Sequence, residues 1–277
     1  MKIYTLIEDS KPKGSAFIAE HGLCLYFEYK GLRILFDTGS SDAFVYNATL
    51  LGIDLVKVDI CIISHAHDDH TGGLAHFLKI NKDAKVFLKS AARGDFYVRN
   101  VTKLQYAGMD QSLFEKYPDR FFFLDEDTEI ADGLFAASVN KHRRLPLYSS
   151  LMYEKRGDVL IRDDLSQELN IVIHRKEGVA VLTGCSHNGL LNILMTAEEK
   201  HGPVWAVVGG FHLSGTRRMG LQTFQEPGSE VQAIIRYIND KRIRKVYSGH
   251  CTGEKVLERL ELMARVKRMQ AGDVFDI

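Results

Sequence analysis

The alternation of apolar and polar positions divides this chain into strands and helices that follow a common plan twice. In residues 22–39, GLCLYFEYKGLRILFDTG, Leu23, Leu25 and Phe27 interleave with Cys24, Tyr26 and Glu28 at the two-residue period of a strand. Lys30-Gly31 makes a turn, and Leu32, Ile34 and Phe36 resume the alternation, so a β-hairpin is predicted that ends at Asp37-Thr38-Gly39. Residues 58–65, VDICIISH, are nearly all apolar, as expected of a strand covered on both faces. Leu74, Phe77 and Leu78 then follow two glycines at the spacing of a helix with one apolar face.

The second half echoes the first. Residues 169–184, LNIVIHRKEGVAVLTG, predict another hairpin that turns at residues 176–178 and again ends in Thr-Gly. The helix that follows is closed by Gly202 and Pro203. Strand VWAVVGG, helix EVQAIIRYINDK, strand KVYSGHC, helix EKVLERLELMARV and a closing strand DVFDI complete the alternation. Helices must then cover the outer faces of packed sheets. The expectation is an α/β fold of four layers, helix–sheet–sheet–helix, in a single domain over residues 1–277. Its two pseudo-symmetric halves would be about 1–150 and 151–277.

Composition narrows the class. Hydrophobic content of 45% and charged content of 26% are those of an ordinary globular chain. No apolar run approaches a membrane span, and the N-terminus lacks the apolar core of a signal peptide, so a cytoplasmic protein without membrane contact is expected. Lys plus Arg and Asp plus Glu number 36 each, so there is no basic surplus for nucleic acid. Residues 141–144, Arg217-Arg218 and residues 241–245 are local basic clusters, either solvated surface or a clamp for a substrate phosphate. Of the four cysteines, Cys24 and Cys61 fall inside apolar strand patterns, whereas Cys185 and Cys251 sit near histidines.

Three of the 11 histidines stand within residues 64–73, SHAHDDHTGG. His65 ends a buried strand, and His67 two residues later can point the same way. Asp69 and His70 open the next helix. Chain geometry thus permits two imidazoles to converge on one metal and an Asp–His pair on a second. Imidazole and carboxylate suit zinc, with iron or manganese less selective alternatives.

H-x-H-x-D-H followed by T-G-G resembles the signature of the metallo-β-lactamase fold superfamily. The likeness extends over nearly the whole chain through FDTG, AEHGLCL, LGIDL, LTGCSHNGLLNI, VVGGFHL and GHCTG. Together these blocks resemble a subgroup of metal-dependent hydrolases that includes dihydropterin-ribofuranosylaminobenzene phosphate synthases. The resemblance implies an αββα sandwich with one or two metals. His65 and His67 would hold the first metal, Asp69 and His70 the second, with His187 completing the first and His250 the second. Asp37 would orient a ligand imidazole. Where many members carry a bridging aspartate after the strand ending Thr-Gly, this chain has Cys185, so either a thiolate takes that place or hydroxide alone bridges. The ligand histidine usual upstream of that strand has only His142 in its region. His212 is read as a substrate contact or general acid, or as a hydrogen-bonded histidine under a loop; His76, His174 and His201 are read as structural, and His21 is given no role.

The implied activity is hydrolysis of a small ester, lactone or phosphoester by metal-bound hydroxide at a dinuclear centre, with Asp69 also positioning the nucleophile. The alternatives are the pterin-pathway synthase and a non-hydrolytic metal-binding or iron redox protein. The substrate is expected to be a small molecule, phosphorylated in the synthase case. Residues 90–117 are the candidate lid or pocket wall, with Phe96, Tyr97, Tyr106 and Phe114 either lining it or forming core.

Overall fold

The computed structural model describes every residue except 100–102, 141, 142, 144, 214–216, 219, 220 and 223–226, with the backbone alone described at 148, 217, 218, 221 and 222. The chain divides into two compact units. The first comprises Met1–Gly94, Ala107–Asp125 and Met269–Ile277; the second comprises Asp95–Tyr106 and Glu126–Arg268.

A seven-stranded sheet forms the first unit, in the spatial order Val274–Asp276, Lys2–Ile7, Cys24–Tyr29, Leu32–Phe36, Ile60–Ile62, Lys85–Leu88 and Phe121–Phe123. Lys30 and Gly31 both have positive φ, 48° and 84°. Such a two-residue turn matches the right-handed twist of the strands it joins and fixes the register Tyr29 opposite Leu32. The predicted buried strand at residues 58–65 is laddered only over Ile60–Ile62, with parallel neighbours on both sides. Ile63 still donates its N–H to the Phe87 carbonyl at 2.9 Å, and Ser64 and His65 then run past the carboxyl end of the strand. The closing strand pairs antiparallel with the first strand, Lys2 opposite Asp276. The chain's two ends therefore meet in one unit.

The second unit has its own seven-stranded sheet, ordered Lys267–Arg268, Lys245–Gly249, Val204–Gly210, Gly178–Thr183, Asn170–Arg175, Leu134–Ala137 and Thr128–Ala131. Helices Leu190–His201, Gly228–Asp240 and Glu254–Ala264 bury Leu194, Ile234, Ile235 and Leu260 against Val172, Val181, Val207 and Val246 of this sheet. The opposite face, with Ile171, Ile173, Leu182 and Val208, is equally buried. This is why these strands read as continuous apolar runs rather than as clean alternation.

A smaller sheet in the same unit, Val159–Arg162, Met152–Arg156, Asp95–Arg99 and Leu104–Tyr106, has no counterpart in the sequence reading. It takes up the middle of the predicted lid segment. Phe96 is buried in it, while Tyr97 and Tyr106 meet edge to face at 5.3 Å. In the first unit Phe114 packs on Phe121 and Phe123 at 4.7 and 5.5 Å, so this aromatic is ordinary packing. Among the described residues no helix is long and apolar enough to cross a membrane.

Candidate functional site

Both large sheets contain parallel strands, and the predicted site residues lie just past the carboxyl ends of those strands. In α/β proteins this is where ligands bind, because the loops there are free of the ladder. In the first unit Asp37 follows Leu32–Phe36, and residues 64–70 follow Ile60–Ile62.

Asp37 is fully buried and holds a left-handed φ of 59°. Its Oδ1 accepts the Ser64 backbone N–H at 2.7 Å, and its Oδ2 accepts the Ser64 hydroxyl at 2.7 Å. The same Oδ2 lies 2.7 Å from Nδ1 of His70. A carboxylate can only accept, so the His70 proton sits on Nδ1 and Nε2 carries the lone pair. The Ser64 hydroxyl gives its one proton to Asp37, so at 2.8 Å it accepts from Nδ1 of His65. One buried carboxylate thereby sets the tautomer of two imidazoles, directly at His70 and through Ser64 at His65. Asp37, expected to orient a ligand imidazole, is thus placed against two of the predicted ligand histidines. Ser64 was missed because a serine beside a histidine carries no signal of its own.

The donor atoms of His65, His67 and Asp69 lie within 4.8 Å of one another. The His65 ring is 4.7 Å from that of His67 and 4.1 Å from that of His70. His67 caps the one-turn helix Asp68–Thr71, its carbonyl accepting the N–H of His70 and of Thr71. A Cβ on Gly72 would stand 2.2 Å from the Ser40 carbonyl oxygen, so only glycine lets this loop lie against the chain after Asp37. His21 acquires a role that the sequence did not supply. Its Nε2 is 3.3 Å from Oδ2 of Asp69 and its Nδ1 2.9 Å from Oδ2 of Asp9. Burial and the neighbouring Asp69 raise the carboxyl of Asp68 above its ordinary range.

In the second unit three adjacent parallel strands end in three loops. Gly178–Thr183 leads to Cys185 and His187, Val204–Gly210 to His212, and Lys245–Gly249 to His250 and Cys251. Ser186, His212 and His250 all adopt left-handed φ, 59°, 48° and 47°. Such conformations cost non-glycine residues on the order of 1–3 kcal/mol each and cluster at functional sites. The His187 and His212 rings are 4.3 Å apart. The donor atoms of Cys185, His212 and Cys251 fall within 4.8 Å of one another, and all three residues are buried.

Glu168, which sequence reasoning passed over, anchors the first loop. Its carboxylate accepts the backbone N–H of His187 and, at 2.9 and 2.8 Å, the backbone and side-chain N–H of Asn188. Burial pushes its carboxyl up, against these hydrogen bonds, which favour the ionised form. Burial also works to raise the Cys251 thiol. Its hydrogen bond with Cys185 and the nearby His250 and His212 overcome that effect and hold the thiol well below its usual value.

Cys24 and Cys61 are buried core residues. His76 is 3.9 Å from Asp42, and His174 and His201 meet each other at 3.2 Å beside Phe135, away from the loops above. Arg143 pairs with Glu230 and Lys241 with Glu198 at the surface. Lys141, His142 and Arg144 lie outside the described residues, as do the side chains of Arg217 and Arg218.

A sequence profile of the Metallo-beta-lactamase superfamily matches residues 18–187. The chain belongs to that superfamily. Membership carries the α/β sandwich fold expected from the sequence, a fold that typically binds metal ions and whose members are mostly enzymes. The chain is 27% identical to the 7,8-dihydropterin-6-methyl-4-(beta-D-ribofuranosyl)-aminobenzene-5'-phosphate synthase of Methanocaldococcus jannaschii, over 99% of this chain and 96% of that protein. It is 30% identical to the solved structure of Tm1679, described as a metal-dependent hydrolase of the beta-lactamase superfamily, with a TM-score of 0.81 over 100% of this chain and 99% of that one. The Zn(2+)-bound PqqB of Methylobacterium extorquens, 10% identical with a TM-score of 0.58 over the full length of both chains, shares the fold alone.

The donor set fits divalent metal. The first unit offers imidazole nitrogens of fixed tautomer with a carboxylate, and the second offers imidazoles with thiols; these are the ligand types zinc prefers. A test follows at Asp37. In Asp37→Asn an amide N–H can face Nδ1 of His70, which favours the wrong tautomer. Metal affinity should fall about 10–100-fold with the fold intact. Metal retention on dialysis checks this, and unchanged retention would make Asp37 a turn residue only.

Proposed function

We propose that the protein is a metal-dependent hydrolase of a small ester, lactone or phosphoester. His65, His67 and His187 would hold one divalent metal, and Asp69, His70 and His250 a second, with zinc the expected ion. The observation that carries this reading is the Asp37 carboxylate, which holds Nδ1 of His70 directly and Nδ1 of His65 through Ser64, so that each imidazole carries its lone pair on Nε2. Bound there, such metals supply an acidified water and polarise the electrophile. The chain's own residues do the rest. Asp69, steadied by His21, orients the attacking water as well as holding metal, and Glu168 keeps the His187 loop in place. His212, buried 4.3 Å from the His187 ring, is the candidate general acid or substrate contact.

A second reading is supported by the near full-length similarity to the Methanocaldococcus jannaschii synthase. There the same metals would hold a departing pyrophosphate while the amine of the aminobenzene derivative attacks the pterin methyl carbon, forming a C–N bond as the C–O bond to pyrophosphate breaks. Metal analysis of protein purified without added metal tests the shared part. Two equivalents are expected. A screen of phosphoesters and lactones against dihydropterin pyrophosphate with a ribofuranosylaminobenzene phosphate then separates the readings. Hydrolysis of the first set with no pyrophosphate release supports the hydrolase; the reverse result replaces it with the synthase.

A further inference from the structure

We propose that Cys185, His212 and Cys251 form a thiolate-rich metal site of their own, for a soft divalent cation of the zinc class, held wholly by the second unit. The proposal goes beyond the dinuclear reading. It gives Cys185 two partners, His212 and Cys251, that its place after Thr183-Gly184 does not suggest from sequence, and it makes His212 a ligand in place of the general acid or substrate contact.

Three observations carry it. The first is proximity. The two Sγ atoms and a ring nitrogen of His212 lie within 4.8 Å of one another, and all three residues are more than nine-tenths buried. A tetrahedral zinc with Zn–S about 2.3 Å and Zn–N about 2.0–2.1 Å sets its donors roughly 3.4–3.8 Å apart, so the set closes with a contraction of at most roughly 1.4 Å. One position then remains for water or substrate. The second is the surroundings of the sulfur. The backbone N–H of His212 donates to Sγ of Cys251 at 3.3 Å, and an N–H directed at sulfur stabilises the thiolate that a metal needs. The third is the backbone that brings the loops together. A Cβ on Gly210 would meet Sγ of Cys251 at 2.6 Å and the Gly184 carbonyl oxygen at 2.8 Å. Glycine at this point is what lets Cys251 approach the loop of Cys185. Sulfur, sulfur and imidazole together select zinc, cobalt or cadmium over magnesium, calcium or manganese.

Cobalt reads the site without reference to turnover. The chain carrying His65→Ala, His67→Ala and Asp69→Ala keeps only His70 of the first unit's four expected donors. It would be stripped with chelator, kept reduced and titrated with cobalt(II). One equivalent should bind with a sulfur-to-cobalt charge-transfer band in the near ultraviolet. Adding Cys251→Ser should cut that band by about half, adding Cys185→Ser should do the same, and the double serine variant should abolish it. Zinc should displace the cobalt. Absence of the band in the triple variant, or a band that Cys251→Ser leaves unchanged, overturns the proposal. If the triple variant does not fold, Cys251→Ser in the otherwise native chain gives the same decision, because Cys185 acting alone as a ligand predicts an unaltered band. Either failure leaves the hydrolase reading standing, since that reading is tested through Asp69.

Discussion

Asp69→Ala should keep its fold and lose turnover by more than about 100-fold, beyond the range typical of residues that merely orient a ligand. The fold should survive because the backbone of Asp69 is what the structure uses: its carbonyl accepts the Leu23 N–H at 3.3 Å. The side chain is 16% exposed and is steadied by His21 and, through it, Asp9. Its oxygen shares a 4.8 Å donor set with His65 and His67. Removing it takes away both a metal donor and the group that orients water, so metal content and rate should fall together. His21→Ala removes only the support of the carboxylate and should cost less than Asp69→Ala. Metal analysis beside turnover of the best substrate checks both variants, and wild-type turnover in Asp69→Ala would end the dinuclear mechanism.

Glu168→Ala should be the most destabilising single change at the site, by about 3 kcal/mol, with loss of metal as a consequence. A fully buried carboxylate is removed here, and the N–H groups of His187 and Asn188 lose their acceptor. A buried donor left without its partner costs about 1–3 kcal/mol, and more when the partner was charged. Glu168→Gln keeps the volume and one acceptor oxygen and should fall between the two. Denaturant unfolding measures this as a lower midpoint at unchanged slope. A midpoint equal to wild type in Glu168→Ala would show that water replaces the carboxylate and that the His187 loop does not depend on it.

The site was legible where its chemistry is local. Six consecutive residues, His65 to His70, carry four donors, and the geometry of a strand end passing into one helical turn decides how they point. Asp37 was legible only through resemblance. Its contacts with Ser64 and His70 span 27 and 33 residues, and nothing in FDTG alone says what the aspartate accepts. Glu168 stayed hidden for a related reason. A charged residue at the start of an apolar strand reads as a surface position until the loop at His187 folds back over it.

By itself the sequence determined both hairpins, the helices Leu74–Ile80 and Leu190–His201 and the metal-binding class, while the helix Ala43–Leu50 after the first hairpin escaped it. Each of these is written in a short period, two residues for a strand, 3.6 for a helix, or in one dense run of ligands. Tertiary structure alone decided the pairing of the last strand with the first, the four-stranded sheet of residues 95–106 and 152–162, and the meeting of Cys185 with His212 and Cys251. Strand partners and donor sets are chosen by packing between segments far apart in the chain, as Cys185 and Cys251 are, 66 residues apart. Local periodicity specifies which face of an element is apolar. It does not specify what that face, or the loop at its end, will meet.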